Sequence, residues 1–276
     1  MTHLRNARKA IPWLLAAAAG AGLLVTVEAV SAPPDGRATM DKVALTRKLE
    51  GSEAKVTMKT LDASGKVLSS RTLTMATKLY EGGAIEKRIY RFVDPPDVKG
   101  TGILVFDYAA KPDDIWIFLP ALRTSRRVLG GDRAKSFMGS EFSYGDLNIP
   151  PLDDYTYRSD REEQAGGEAC YVVEVTPKSP QVAKDEGYQR KVYWVSKTTS
   201  AVRKGQFFGL DGKLLKELST SNVKELATVN GTKRFRAMKM EMKNVQTGRL
   251  SVFETVSVST NTPPDDFFTE AYLQRI

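Results

Sequence analysis

The side chains able to do chemistry in this chain are mostly acids. Asp94, Asp97, Asp132, Glu141, Asp146, Asp153 and Asp154 fall in one stretch, and two carboxyls facing each other across a bond suffice for general acid and base work on a glycoside. They stand beside Pro, Gly and Arg, where a carboxylate usually shapes a turn or pairs with a cation. Hydrolysis is therefore the weakest of three readings. Nucleophilic chemistry is excluded more firmly. The only histidine is His3, inside a segment read below as a leader, and the only cysteine is Cys170. Without a histidine the remaining chain lacks the base of a Ser-His-Asp or Cys-His pair and the commonest metal ligand. Cys170 sits in the alternating apolar run Ala169–Val175 and reads as a small buried hydrophobe, since a lone thiol forms neither a metal cluster nor an internal disulfide. Gly100-Thr101-Gly102 precedes an apolar strand rather than a helix, and the Gly130–Ser136 run lacks the Gly-Lys-Ser spacing of a phosphate loop. No catalytic residue, metal or cofactor is expected.

Binding chemistry is better represented. Met238, Met240 and Met242 alternate with Lys239, Glu241 and Lys243, so on a strand the three thioethers share one face. Flexible, polarizable side chains in a row make a deformable apolar wall suited to acyl chains of varied length, although core packing would use the same stripe. Val56 and Met58 on one predicted strand, and Leu73 and Met75 on another, extend such a wall. Arg126 and Arg127 are placed to pair with Asp132, Glu141 or Asp146 and fasten the segment between them.

Those residues are organised by the stretch from Phe92 to Leu147. Gly102–Tyr108 and Ile115–Leu119 flank the turn Lys111-Pro112-Asp113-Asp114 and predict an antiparallel hairpin. Ile103, Val105, Ile115 and Ile117 share one face of it, while Leu104, Phe106, Trp116 and Phe118 share the other. Two apolar faces require a cover on each side. One cover is read as a movable lid or an apolar ligand, which makes Phe106, Trp116 and Phe118 candidate cavity residues. After the hairpin, Gly130–Leu147 mixes glycines with Phe137, Met138, Phe142, Tyr144 and Leu147, and this segment is the candidate lid or cavity mouth.

The rest of the chain predicts strands at short, regular spacing. Met1–Ser31 has a basic start at Arg5, Arg8 and Lys9, a mostly apolar run Ala10–Val27, and small residues Ala29, Ser31 and Ala32 for cleavage, so residues 1–31 read as a signal peptide and 32–276 as a single domain. No cysteine follows the run, which argues against a lipid-modified N-terminus. The leader would remove three basic residues and one acidic one, lowering the formal net charge from +8 to +6. That balance suits anionic lipid surfaces or acidic partners, and export makes nucleic acid an unsuitable one. An amphipathic helix is predicted over Thr39–Leu49, with Met40, Val43, Ala44 and Leu45 as its apolar stripe. Strands follow at Lys55–Leu61, Val67–Leu79 and Ile85–Val93, the last with Glu86, Lys87, Arg88 and Arg91 on what reads as a solvated face. A second series comprises Asp154–Ser159, Cys170–Thr176, Lys191–Ser196, Ala201–Phe208, Lys213–Lys224, Lys233–Asn244 and Leu250–Ser259. Asn148–Pro151 breaks regular structure between the two, and Pro263–Glu270 reads as a short capped helix. The pattern predicts a mainly β protein with one large, curved or nearly closed antiparallel sheet.

Trp116-Ile117-Phe118-Leu119-Pro120-Ala121-Leu122, then Arg126-Arg127, then Ser136-Phe137-Met138-Gly139-Ser140-Glu141-Phe142-Ser143-Tyr144-Gly145-Asp146-Leu147, resemble the longer branch of the LolA-like outer-membrane lipoprotein-sorting proteins. Glu141 stands where that signature usually has Asp, which preserves the charge. The resemblance is densest from Phe92 to Leu147 and continues through Tyr193-Trp194-Val195 and Asp211–Lys216. It implies an unclosed barrel of strongly curved antiparallel sheet, with capping helices over an apolar cavity. It also implies a non-enzymatic periplasmic carrier that shields the acyl chains of a lipoprotein or free lipid, moves them toward the outer membrane and touches membrane surfaces transiently. The alternative is an accessory protein docked on an inner-membrane RND-type lipid exporter, and the third reading is an envelope hydrolase.

Overall fold

Alternation at period two decides the architecture. The computed structural model describes residues 34–148 and 151–275; the expected leader, and Ile149-Pro150 of the expected break, lie outside the described residues. Six strands come first: β1 (Gly51–Leu61), β2 (Val67–Tyr80), β3 (Ile85–Asp94), β4 (Gly102–Tyr108), β5 (Asp114–Leu119) and β6 (Thr124–Val128). Seven follow: β7 (Tyr155–Ala165), β8 (Glu168–Pro177), β9 (Arg190–Ser196), β10 (Val202–Phe208), β11 (Leu214–Val229), β12 (Thr232–Asn244) and β13 (Leu250–Ser259). They form one antiparallel sheet in the order 6-5-4-3-2-1-13-12-11-10-9-8-7. Each half is a meander of hairpins, and the halves meet where β1 pairs with β13, with Val56 opposite Thr255 and Met58 opposite Phe253. β6 and β7 end the sheet without pairing to each other, so the barrel is unclosed.

β6 is not expected from its sequence. Thr124-Ser125-Arg126-Arg127-Val128 has no apolar alternation, because it is an edge strand paired only with β5, and charged side chains on an edge discourage pairing with other chains. The first helix, α1 (Gly36–Arg47), starts earlier than predicted: Asp35 caps it, accepting from the Arg37 amide at 3.3 Å. Met40 and Val43 are buried as expected, whereas Leu45 is exposed and Thr39 and Thr46 take its place on the packed face. α1 lies against β7, β8 and β12 on the concave side. A short helix α2 (Pro180–Glu186) is capped by Ser179 and ended by Gly187 at φ +79°. The C-terminal segment forms a 3-10 turn, Asp265–Phe268, and α3 (Glu270–Leu273). Among the described residues, no helix is long and apolar enough to cross a membrane.

The two-faced hairpin β4–β5 is covered on both sides. Ile103, Val105, Ile115 and Ile117 join the concave core with Phe92, Phe137 and Phe142. Leu104 and Phe118 pack on the convex side under Phe268 and Leu273. Phe106 and Trp116 pack edge to face there, with centroids 5.1 Å apart. The expectation that Phe106, Trp116 and Phe118 line a cavity is therefore corrected. Their cover is the C-terminal segment, and a hairpin apolar on both faces does not itself reveal which face lies inside.

Candidate functional site

The concave face of the sheet, α1 and the Gly130–Leu147 segment enclose a cavity of about 510 Å³, within the range of small-molecule sites. Met238, Met240 and Met242 form one wall, and Leu73, Met75 and Val56 another. Met58 shares the face but is fully buried in the core beneath, so it supports the lining without reaching it. Phe253 and Phe207 also line the space; neither stands out in the sequence, but each occupies the inward parity of its strand.

Phe137, Phe142, Asp146 and Leu147 close the remaining side. The segment folds back on itself: the Phe137 amide donates to the Phe142 carbonyl at 2.7 Å, and the reversal is made by Met138 and Gly139 at φ +51° and +78°. Met138 packs against the concave core, and its carbonyl accepts from Arg71. Phe137 is 1% exposed and lies 6.0 Å from Tyr90, 5.5 Å from Tyr144 and 5.9 Å from Phe253; Phe142 stands 4.5 Å from Phe253. Tyr144 is buried, which raises its pKa. The segment thus packs as a plug seated on the sheet, with its aromatics in the core.

Its polar residues fasten it. The Glu141 amide donates to Ser251 Oγ at 2.9 Å, and its carboxylate takes Arg249 Nε at 3.1 Å and Asn244 Nδ2 at 3.2 Å. Asp146 accepts from the Ser143 amide at 2.8 Å and the Tyr188 hydroxyl at 3.0 Å, with Lys216 Nζ at 3.4 Å. Burial and the Asp146 charge hold the Tyr188 pKa well above the usual phenol value. Of the two arginines expected to fasten the segment, Arg126 meets one of the expected acids and Arg127 none. Arg126 reaches only Asp132, at 3.7 Å in solvent, and Arg127 pairs with Asp114, because both project from an exposed edge strand. Asp132 is kept below its ordinary pKa chiefly by a hydrogen bond from Lys135. The buried clasp is Arg133, which sequence reasoning did not single out: it meets Asp113 at 3.3 Å and Glu186 at 3.0 Å, and Lys191 meets Glu186 at 3.0 Å. Burial, reinforced by the nearby charge of Asp107, lifts the Asp113 pKa to about 6.

One part of the cavity is charged. Arg47, Arg88, Arg236, Glu86 and Asp107 all line it. Lys87 and Arg91 of β3 point outward against Tyr80 and Tyr272, but Glu86 and Arg88 point in, which corrects the single solvated face expected for that strand. Arg88 is buried, pairs with Asp107 and donates to the Leu147 carbonyl at 3.0 Å. Burial works against its charge, yet Glu86 and Asp107 outweigh it and raise the Arg88 pKa. The available signal was parity, since Arg88 stands two residues before the inward Tyr90. Among the described residues, no group of three or more His, Cys, Asp or Glu side chains is arranged to hold a metal ion.

A protein-family model whose description reads "uncharacterized protein" matches residues 85–275. A crystal structure described as an outer membrane lipoprotein-sorting protein domain, from Vibrio parahaemolyticus, is similar at 28% identity and TM-score 0.77, covering 87% of this chain and 98% of that one. A DUF1329 family protein from Desulfovibrio piger is similar at 28% identity and TM-score 0.76, covering 86% and 97%. A LolA superfamily protein from Nitrosomonas europaea shares the fold at 21% identity and TM-score 0.64, covering 87% and 100%. No curated protein matches the sequence.

Proposed function

Because the chain belongs to the LolA-like family, we propose that it is a non-enzymatic periplasmic carrier whose half-barrel takes up the acyl chains of a lipoprotein or lipid and moves them toward the outer membrane. In this reading residues 1–31 are a cleaved leader and 32–276 work as one lipid-binding domain touching the membrane only to load and unload. The carrying observation is the methionine-walled cavity of about 510 Å³ on the concave face. Hydrocarbon crossing water is penalised by about 25 cal/mol for each Å² exposed, so a carrier must substitute for the bilayer and later release the chain. Thioethers that repack around different chains suit that exchange. The cavity candidates are Val56, Leu73, Met75, Met238, Met240 and Met242, with Phe137, Phe142, Asp146 and Leu147 as the closing plug.

The test is native mass spectrometry of gently extracted protein, joined to titration with an acyl fluorophore. Copurifying lipid and saturable binding are expected, and Met240→Asp, which sets a carboxylate in the wall, should weaken the fluorophore at least about tenfold. A protein that carries no lipid and binds no fluorophore is not a carrier.

A second reading, an accessory protein on an inner-membrane RND-type exporter, is favoured by the surface around β6. Leu122 and Leu129 are 64% and 65% exposed beside Arg123, Arg126 and Arg127. Exposed leucines ringed by cations suit an acidic, partly apolar partner. A photocrosslinker at Arg123 should then capture one membrane protein in cells; diffuse or absent capture removes this reading.

A further inference from the structure

The charged part of the cavity has more cations than anions. Arg47 comes from the last turn of α1, Arg88 from β3 and Arg236 from β12, against Glu86 and Asp107. Asp107 is committed to Arg88. Among the described residues, Arg47 and Arg236 have no carboxylate at ion-pair distance, and the hydrogen bond of the Arg236 side chain goes to a neutral hydroxyl, Ser52 Oγ at 3.3 Å.

These groups form one patch. Ser52 bonds Thr77 Oγ1 at 2.8 Å, Ser52 is registered opposite Thr77 on β2, and Thr77 opposite Arg88 on β3. Arg236, Ser52, Thr77 and Arg88 therefore follow one line across the concave face. Arg47 lines the same space from the last turn of α1, with its side chain exposed. Crowding by protein, and then the charge of Arg88, lower the Arg47 pKa, with Glu86 and Asp107 opposing; burial also lowers that of Arg236, where the charge of Glu86 opposes it and Arg47 and Arg88 add repulsion. Beside the paired Arg88, two guanidiniums face one uncommitted carboxylate, Glu86, and a bound anion relieves that excess of positive charge with charge-assisted hydrogen bonds.

We propose that the cavity is built for an amphiphile with an anionic headgroup, a phosphate or carboxylate gripped by Arg47 and Arg236, whose acyl chain runs along the Met238, Met240 and Met242 wall. This rests on the carrier reading and sharpens it. The inward alternation of β12 puts Arg236 in direct series with the three methionines, so one strand presents a cation and then a greasy track. Arg88, held by Asp107 and the Leu147 carbonyl, ties the patch to the plug.

The experiment compares two lipids with the same tail. Delipidated protein is titrated with oleoyl lysophosphatidate and with neutral monoolein, each read by displacement of an acyl fluorophore. Lysophosphatidate should bind at least about tenfold tighter. In the double variant Arg47→Gln, Arg236→Gln that ratio should collapse toward one, and Arg47→Lys, Arg236→Lys should recover part of it. Inorganic phosphate alone, at millimolar concentration, should bind far more weakly than lysophosphatidate; equal binding would make this a free-anion site and overturn the amphiphile. Equal affinities of the wild type for the two lipids, or a ratio that survives the Gln double variant, overturn the headgroup site while leaving the carrier intact. Failure to bind either lipid overturns the carrier reading and this inference with it.

Discussion

Asp113 has no exposed side-chain surface, accepting from Arg133 at 3.3 Å and from Asn148 Nδ2 at 2.7 Å. Burial and the Asp107 charge, opposed by Arg133 and Arg88, leave its folded pKa at about 6 against an ordinary 3.8. An acid whose folded pKa lies above its unfolded one binds its proton more readily when folded. Its effect on stability is therefore most favourable below about pH 4 and declines as pH rises through about 6. The change attributable to this residue is bounded at about 3 kcal/mol. Asp113→Asn should flatten that part of the stability profile in urea titrations from pH 4 to 7; an unchanged slope would assign the dependence to another group. Residue types put Met238, Met240 and Met242 on one face without deciding between core and cavity wall, and they foretold the burial of Cys170, which is fully enclosed beside Val172 and Trp194. They did not foretell the clasp. Arg126, Arg127 and Arg133 look alike in sequence, and only the path of the chain brings Arg133 to Glu186, 53 residues away.

At the scale of elements, the C-terminal segment depends on a missing side chain. A Cβ on Gly102 would stand 2.6 Å from Leu273 Cδ1 and 3.3 Å from the Leu273 carbonyl oxygen. Gly102→Ala should therefore force α3 off β4, costing about 1–3 kcal/mol and raising binding of a hydrophobic dye as Leu104 and Phe118 lose their cover. A melting temperature and dye signal equal to wild type would show that α3 adjusts freely. Most strands were legible because one face of each alternates toward a core, and Gly102–Tyr108 and Leu250–Ser259 have the bounds read from sequence. β6 was hidden because an edge strand needs no apolar face. The two-faced hairpin announced a pair of covers without saying which was which, so Trp116 was assigned to the lumen when it belongs under the C-terminal segment.

Taken whole, the chain builds two meanders and joins them along one seam, β1 against β13, residues nearly at opposite ends of the described sequence. A one-sheet protein was readable from strand spacing, but the seam was not, because either terminal strand pairs as readily with its own neighbour in any local pattern. The opposite boundary, between β6 and β7, carries no ladder at all. Across the two halves lies the triad in which Arg133 grips Asp113 before β5 on one side and Glu186 before β9 on the other. A sealed barrel has its girth dictated by strand number and stagger. Here no ladder closes the ring, and the contacts of Arg133 with Asp113 and Glu186 are a buckle of three side chains that spans the two halves where strand pairing does not.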